Sequence, residues 1–164
     1  MLKKILREFR QIWSWYGVPF VATPDDKLKI ILENLELQEW ETFVDIGCGD
    51  GKILEVVSRK FPTVMCIGYE SSSYPYSLAL ERKRESQYDF EIHKKNVFSV
   101  SLADVDIIHI YMVPYMLPKL IKKIQSECRI GTKIYIQSHE VKNWIPERVV
   151  PLSKKNNLYI YTLK

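Results

Sequence analysis

Three glycines alternate in Phe43-Val44-Asp45-Ile46-Gly47-Cys48-Gly49-Asp50-Gly51, where an apolar run ends and a helical pattern begins. Side chains at those positions would hold a ligand off the main chain, so the glycines imply a ligand that approaches the backbone closely. The helix N-terminus that follows offers unpaired amides and partial positive charge to an anion. Glu70 stands at the end of the next apolar run, Val64 to Tyr69. An acid there can accept hydrogen bonds from both hydroxyls of a ribose. Two common phosphate binders do not match. The dinucleotide fingerprint needs glycine at position 52, which is Lys52, and the Gly-Lys-Ser/Thr ending of a P-loop is absent. The plain alternative is a glycine turn with no ligand. Asp45 before the loop, Glu70 after it and the strand-helix-strand setting weigh against that.

An acid-x-Gly-x-Gly-x-Gly loop with a downstream acid resembles the first two motifs of the class I S-adenosylmethionine-dependent methyltransferases. The resemblance implies a Rossmann-like α/β fold and S-adenosyl-L-methionine as cofactor. It implies that Asp45 orients the methionine part and that the loop, Gly47, Cys48, Gly49, Asp50 and Gly51, takes the carboxylate. Glu70, followed by Ser71, would hold the ribose. Lys95-Asn96-Val97-Phe98 then supplies the adenine end. Many relatives carry Asp at position 96. The Asn96 carbonyl oxygen can still accept from the adenine amino group, and a strand-end turn residue is the equal alternative.

Further segments resemble a small group of protein-lysine methyltransferases. They are Val18-Pro19-Phe20-Val21-Ala22-Thr23-Pro24, Gly68-Tyr69-Glu70, Val113-Pro114-Tyr115-Met116, Ser138-His139-Glu140, Trp144-Ile145-Pro146 and Leu158-Tyr159-Ile160-Tyr161. That group includes an archaeal broad-specificity enzyme and a mitochondrial enzyme that modifies the c-ring protein of ATP synthase. Together the segments run from about residue 18 to 163, and they bring Thr23 to the cofactor site. Ala22 stands where the group has Pro, Cys48 where some members have Ser, and Ser71-Ser72-Ser73-Tyr74-Pro75 departs from the usual segment.

The implied activity is methyl transfer to the side-chain amine of a protein lysine. Such an amine titrates near 10.4, so presenting it neutral at pH 7 costs roughly 4–5 kcal/mol. A dry apolar channel lowers that value, and aromatic walls favour the methylated cation. Tyr111 and Tyr115 are the expected catalytic-channel residues, with Phe20, Pro114 and Trp144 lining the channel; core packing is the alternative for each ring. The Asp/Asn-Pro-Pro-Tyr motif of enzymes that methylate DNA bases or glutamine is replaced by Tyr111-Met112-Val113-Pro114-Tyr115. Methylation of RNA or a small molecule, and a non-catalytic module on the same fold, remain open readings. His93 and His109 fall within strand runs and read as structural. His139-Glu140 reads as a strand-end pair or as a base at the channel rim. No metal cluster or nucleophilic triad assembles from the spacing.

These residues need a frame. Residues 2–13 form an amphipathic pattern, with Leu2, Ile5, Leu6, Phe9, Ile12 and Trp13 on one face and basic residues opposite. Thr23 is expected to cap a helix that starts at Pro24 and runs to about Leu37. Strands are expected at Thr42–Ile46, Val64–Tyr69, Phe90–Lys95, Val105–Met112 and Lys133–Gln137. Helices fall between them at Lys52–Lys60, Tyr76–Gln87 and Pro114–Cys128. Two last strands, Arg148–Leu152 and Leu158–Leu163, should turn near Asn156-Asn157. The rhythm predicts a seven-stranded, mostly parallel sheet with an antiparallel edge and helices on both faces. The domain spans 18–164, preceded by the amphipathic stretch at 1–17. Arg82-Lys83-Arg84 reads as a solvated helix face.

The bulk properties agree. The 164 residues suit one domain, 46% are hydrophobic and 27% charged, and 24 Lys+Arg against 20 Asp+Glu leave a net charge of +4. That charge is too mild to call for a specific nucleic acid. Cys48, Cys66 and Cys128 form no Cys-x-x-Cys pair and read as reduced thiols of a cytoplasmic protein. Neither a signal peptide nor an apolar span of membrane length is evident. The 1–17 stretch packs on its own domain by default. Its Trp13, Trp15 and Tyr16 beside a basic face would also suit peripheral contact with an anionic membrane. The oligomeric state is not encoded in any of these patterns.

Overall fold

The computed structural model describes residues 20–164. The helix expected at 2–13, the aromatic cluster after it and Val18-Pro19 lie outside the described residues.

Helix α1 (Asp25–Asn34) precedes strand β1 (Thr42–Ile46). The chain continues through α2 (Lys52–Lys60), β2 (Met65–Tyr69), α3 (Ser73–Glu85) and β3 (Glu91–His93). It then runs through β4 (Ile107–Ile110), α4 (Leu117–Glu127), β5 (Lys133–Gln137), β6 (Arg148–Ser153) and β7 (Asn156–Thr162). All seven strands join one sheet in the order β3-β2-β1-β4-β5-β7-β6. The first five strands pair in parallel, and β7 lies antiparallel between β5 and β6. The strand order reverses direction at β1, which has β2 on one side and β4 on the other. A crevice for a ligand opens at that switch point in open α/β sheets.

Strand alternation divides the core into two layers. Phe43, Ile107 and Tyr135 face Ile31 of α1 and Leu54 and Val57 of α2. Val44, Ile46, Ile108, Ile110, Ile134 and Ile136 face Leu120 and Ile124 of α4 and Tyr161. Both layers are almost fully buried, which is why β1, β4 and β5 read as continuous apolar runs rather than as alternating ones.

Several element ends differ from expectation. Pro24 is extended (φ −61°, ψ 152°) and precedes α1, so Thr23 is one residue too early to cap it and is buried instead. The helix stops at Asn34, whose side-chain amide donates to the Ile30 carbonyl at 2.9 Å, and Leu35 turns extended. Helix α3 begins at Ser73, with Pro75 in its first turn, where a missing N–H is tolerated. Pro114–Met116 forms a separate 3-10 turn before α4. The β6–β7 reversal falls at Lys154-Lys155, and Asn156 and Asn157 pair inside β7. Pro151 in β6 costs no ladder bond, because β6 is an edge strand with a register shift there.

Candidate active site

A cavity of about 280 Å³ opens at the C-terminal ends of β1, β2 and β4, at the switch point. Its first wall is the glycine loop. Gly47, Gly49 and Gly51 all adopt the left-handed conformation, at φ +73°, +57° and +73°. The amides of Gly47 and Cys48 both donate to the Tyr69 carbonyl, at 2.9 and 3.2 Å, which ties the loop to the end of β2. A Cβ at Gly49 would strike the Phe20 ring, 2.9 Å from Cδ2. Phe20 therefore lies directly over the loop, and the segment Phe20–Thr23 closes the cavity on that side. Lys52 holds the segment there. Its Nζ donates to the Thr23 carbonyl at 3.2 Å and pairs with Asp25 at 2.6 Å.

Glu70 leaves β2 into the second wall. Its Oε2 accepts from the Gly49 amide at 3.1 Å and its Oε1 from the Ser72 amide at 2.7 Å. Burial raises its pKa above the usual carboxylate value, and the two backbone amides work against that rise. Each oxygen keeps a further lone pair for a ligand. Ser71 and Asn96 lie beside it on the wall, with Val97 buried behind. The Asn96 Oδ1 accepts from the Phe98 amide at 3.0 Å and starts a 3-10 turn at Val97–Ser99. The turn role is therefore filled, and one lone pair and the amide group remain toward the cavity.

Asp50 lines the cavity, but its carboxylate serves the loop. Oδ2 accepts from Arg82 Nη2 at 2.8 Å, and the Asp50 carbonyl accepts from Arg82 Nε at 2.8 Å. Arg82 Nη1 also reaches Glu55 at 3.0 Å. Arg82 is thus a clamp between α3 and the glycine loop, and not part of a solvated face. Arg82→Met should lower stability by about 1–2 kcal/mol, since the clamp is partly exposed. That corresponds to a fall in Tm of roughly 3–6 °C for a chain of this size. S-adenosylhomocysteine affinity should fall about tenfold as the loop loosens. Thermal melts and calorimetry check both numbers.

The floor is Asp45, which is buried and bonded through Oδ1 to His109 Nδ1 at 2.8 Å. His109, expected to be structural, also lines the cavity. The signal was present in the sequence: a histidine inside an otherwise apolar strand must find a polar partner when buried. The wall toward β4 holds Tyr111, Met112, Val113, Pro114 and Met116, with His139 across from them. Burial pushes the Tyr111 phenol pKa up. Tyr69, stacked on His93 at 5.7 Å, is a further lining residue beyond those expected. The Cys48 thiol also lines the cavity. Burial first, and then Asp45 and Glu70, push its pKa well above normal, so it is no nucleophile.

Three expected residues stand apart from the cavity wall. Trp144 packs edge-on against Tyr161 at 5.7 Å, in the core layer beneath α4. Tyr115 is 68% exposed on the 3-10 turn, between Pro114 and Met116, which do line the cavity. Gly51 faces Ile92 and Ala79, and serves as the left-handed entry into α2. No helix among the described residues is long and apolar enough to cross a membrane.

Comparison with known proteins agrees with this architecture. A family model described as the ANTKMT methyltransferase domain matches residues 45–148, from Asp45 of β1 to the start of β6. The protein-lysine N-methyltransferase of Saccharolobus islandicus is 25% identical over 158 residues, covering 89% of this chain and 94% of that protein. The mouse adenine nucleotide translocase lysine N-methyltransferase is 25% identical over 144 residues, covering 87% of this chain and 62% of that protein. A Xenopus laevis lysine N-methyltransferase named for the c-ring protein of ATP synthase is 25% identical over 134 residues, covering 80% of this chain and only 58% of that protein. Among solved structures, an RNA methyltransferase from Salinibacter ruber in complex with S-adenosyl-L-homocysteine superposes with a TM-score of 0.80. It is 21% identical and covers 87% of this chain and 94% of that one, which is a likeness of fold. A glycine loop, an acid at the end of β2 and a family match across both place this chain in the ANTKMT methyltransferase domain family, as an S-adenosylmethionine-dependent methyltransferase.

Proposed function

We propose that this enzyme methylates the side-chain amine of lysine in a protein substrate. The residues present fit the cofactor. The loop leaves a cradle that a Cβ at Gly49 would fill, and Glu70 stands buried at the end of β2 with lone pairs to spare. When bound, S-adenosylmethionine supplies an electrophilic methyl group on a sulfonium sulfur. Glu70 and Ser71 would hold the ribose, Asn96 and Val97 the adenine, and Asp45 with Gly47 to Gly51 the amino-acid end. Thr23 and Phe20 would cover it.

The observation that carries the lysine reading is the wall beyond Gly47. Tyr111, Met112, Val113, Pro114 and Met116 give it an apolar, aromatic character, in place of a polar base-recognition motif. Such a wall excludes water and favours the neutral amine over the ammonium. The Tyr111 ring can then face the methylated cation. The names of the archaeal, mouse and Xenopus relatives support the same substrate class.

The test is methyl transfer from labelled S-adenosylmethionine to a lysine-rich protein and to the same protein with its amines acetylated. Label should enter the free-amine protein and not the acetylated one; equal labelling of both would contradict the reading. Tyr111→Ala should lower kcat about 10- to 100-fold while changing S-adenosylhomocysteine affinity less than threefold. Tyr115→Ala, on the exposed rim, should raise the KM for protein and leave cofactor affinity unchanged. Steady-state kinetics beside calorimetry separates the two.

A further inference from the structure

His109 is fully buried, yet it lines the cavity. Its Nδ1 is held at 2.8 Å by Asp45 Oδ1, and its Nε2 finds no hydrogen-bond partner among the described residues. A carboxylate only accepts, so Nδ1 carries the proton, and in the neutral ring Nε2 is an acceptor. A buried acceptor left unpaired costs of order 1–3 kcal/mol. It is tolerated where a ligand supplies the missing donor.

The position narrows the donor. Asp45 and His109 are register partners on β1 and β4. Beyond them, a Cβ on Gly47 would come to 4.0 Å from the Tyr111 carbonyl, so Gly47 keeps side-chain atoms out of the space over the pair. The pair forms an anionic floor below the glycine loop. The amino-acid end of the cofactor is a zwitterion. Its carboxylate suits the free amides of α2 and the Lys52 ammonium on the loop side; its ammonium needs acceptors. We propose that His109 Nε2 accepts a hydrogen bond from the α-ammonium of the bound cofactor, with Asp45 fixing the ring tautomer. His109 is thereby a cofactor-binding residue rather than a packing residue. The inference rests on S-adenosylmethionine being the cofactor.

The probes are S-adenosylhomocysteine and its analogue lacking only the α-amino group, titrated by calorimetry into the wild type and into His109→Phe. The wild type should prefer S-adenosylhomocysteine at least tenfold. In His109→Phe the preference should shrink to threefold or less, with affinity for the deaminated analogue unchanged. A preference retained in the variant, or an equal loss for both ligands, overturns the proposal. If His109→Phe does not fold, the 15N resonances of the wild-type imidazole answer the same question. The Nε2 signal should shift on adding S-adenosylhomocysteine and stay in place with the analogue; the same response to both ligands overturns the proposal. Absence of any binding to the wild type would overturn the cofactor reading together with this one, whereas binding without discrimination overturns this one alone.

Discussion

Glu70→Gln should weaken S-adenosylhomocysteine binding roughly 100-fold or more. The carboxylate accepts from the Gly49 amide with one oxygen and from the Ser72 amide with the other. Glutamine has one acceptor and one donor. Its NH₂ must therefore face a backbone N–H, and one buried amide is left unpaired. Hydrogen bonds to a charged acceptor contribute about 1.5–3 kcal/mol each, and each 1.4 kcal/mol is tenfold in affinity. Two are disturbed, and the ribose contact weakens with them. Glu70→Ala should be at least as damaging. Calorimetric affinity within threefold of wild type for either variant would remove Glu70 from the site.

The same substitution carries a pH signature. Burial raises the Glu70 pKa, so the folded chain binds this proton more tightly than the unfolded chain. The group's favourable contribution is complete below the ordinary carboxylate pKa and is lost as pH rises through the elevated one. Glu70→Gln removes that titration. Relative to wild type, the variant's Tm should therefore improve as pH rises across that window. A constant difference in Tm from acid to neutral pH would contradict the assignment.

The second large effect is expected at Gly49. A valine there must hold φ +57°, which costs an L-residue roughly 1–2 kcal/mol and a β-branched one more. Its Cβ must also displace the Phe20 ring, which covers the loop. Gly49→Val should therefore abolish measurable cofactor binding, a loss of more than about 100-fold. Gly131→Ala is the matched control. That glycine is also left-handed, at φ +95°, but no atom lies within 4 Å of a Cβ placed there. It should lower Tm and leave the affinity unchanged. Cofactor binding by Gly49→Val within threefold of wild type would mean that the cradle is elsewhere.

Local patterns made much of this legible. Gly47, Gly49 and Gly51 sit between an apolar strand and an amphipathic helix, and only backbone constraints explain that spacing. Glu70 follows from its place at the end of the next strand. The order of strands and helices was readable for the same reason, since each element carries its own periodicity. What escaped depends on contacts distant in sequence. Arg82 belongs to a basic run typical of solvated helices, and only the fold brings it to Asp50 and Glu55. His109 meets Asp45 only because β4 pairs with β1. Trp144 sits in a segment that resembles the lysine methyltransferases, yet its ring goes to Tyr161 rather than to the cavity. The β6–β7 turn fell at two lysines and not at the asparagines, because the strand pairing extends through Asn156 and Asn157.

The central claim is that the methyl group goes to a lysine amine, and the most direct measurement identifies the methylated atom. The enzyme would be incubated with labelled S-adenosylmethionine and whole-cell protein and RNA, followed by hydrolysis of each fraction and mass spectrometry. The expected result is label in Nε-methyllysine from the protein fraction, lost in Glu70→Ala. Label in methylated nucleosides, or in another amino acid, would contradict the account.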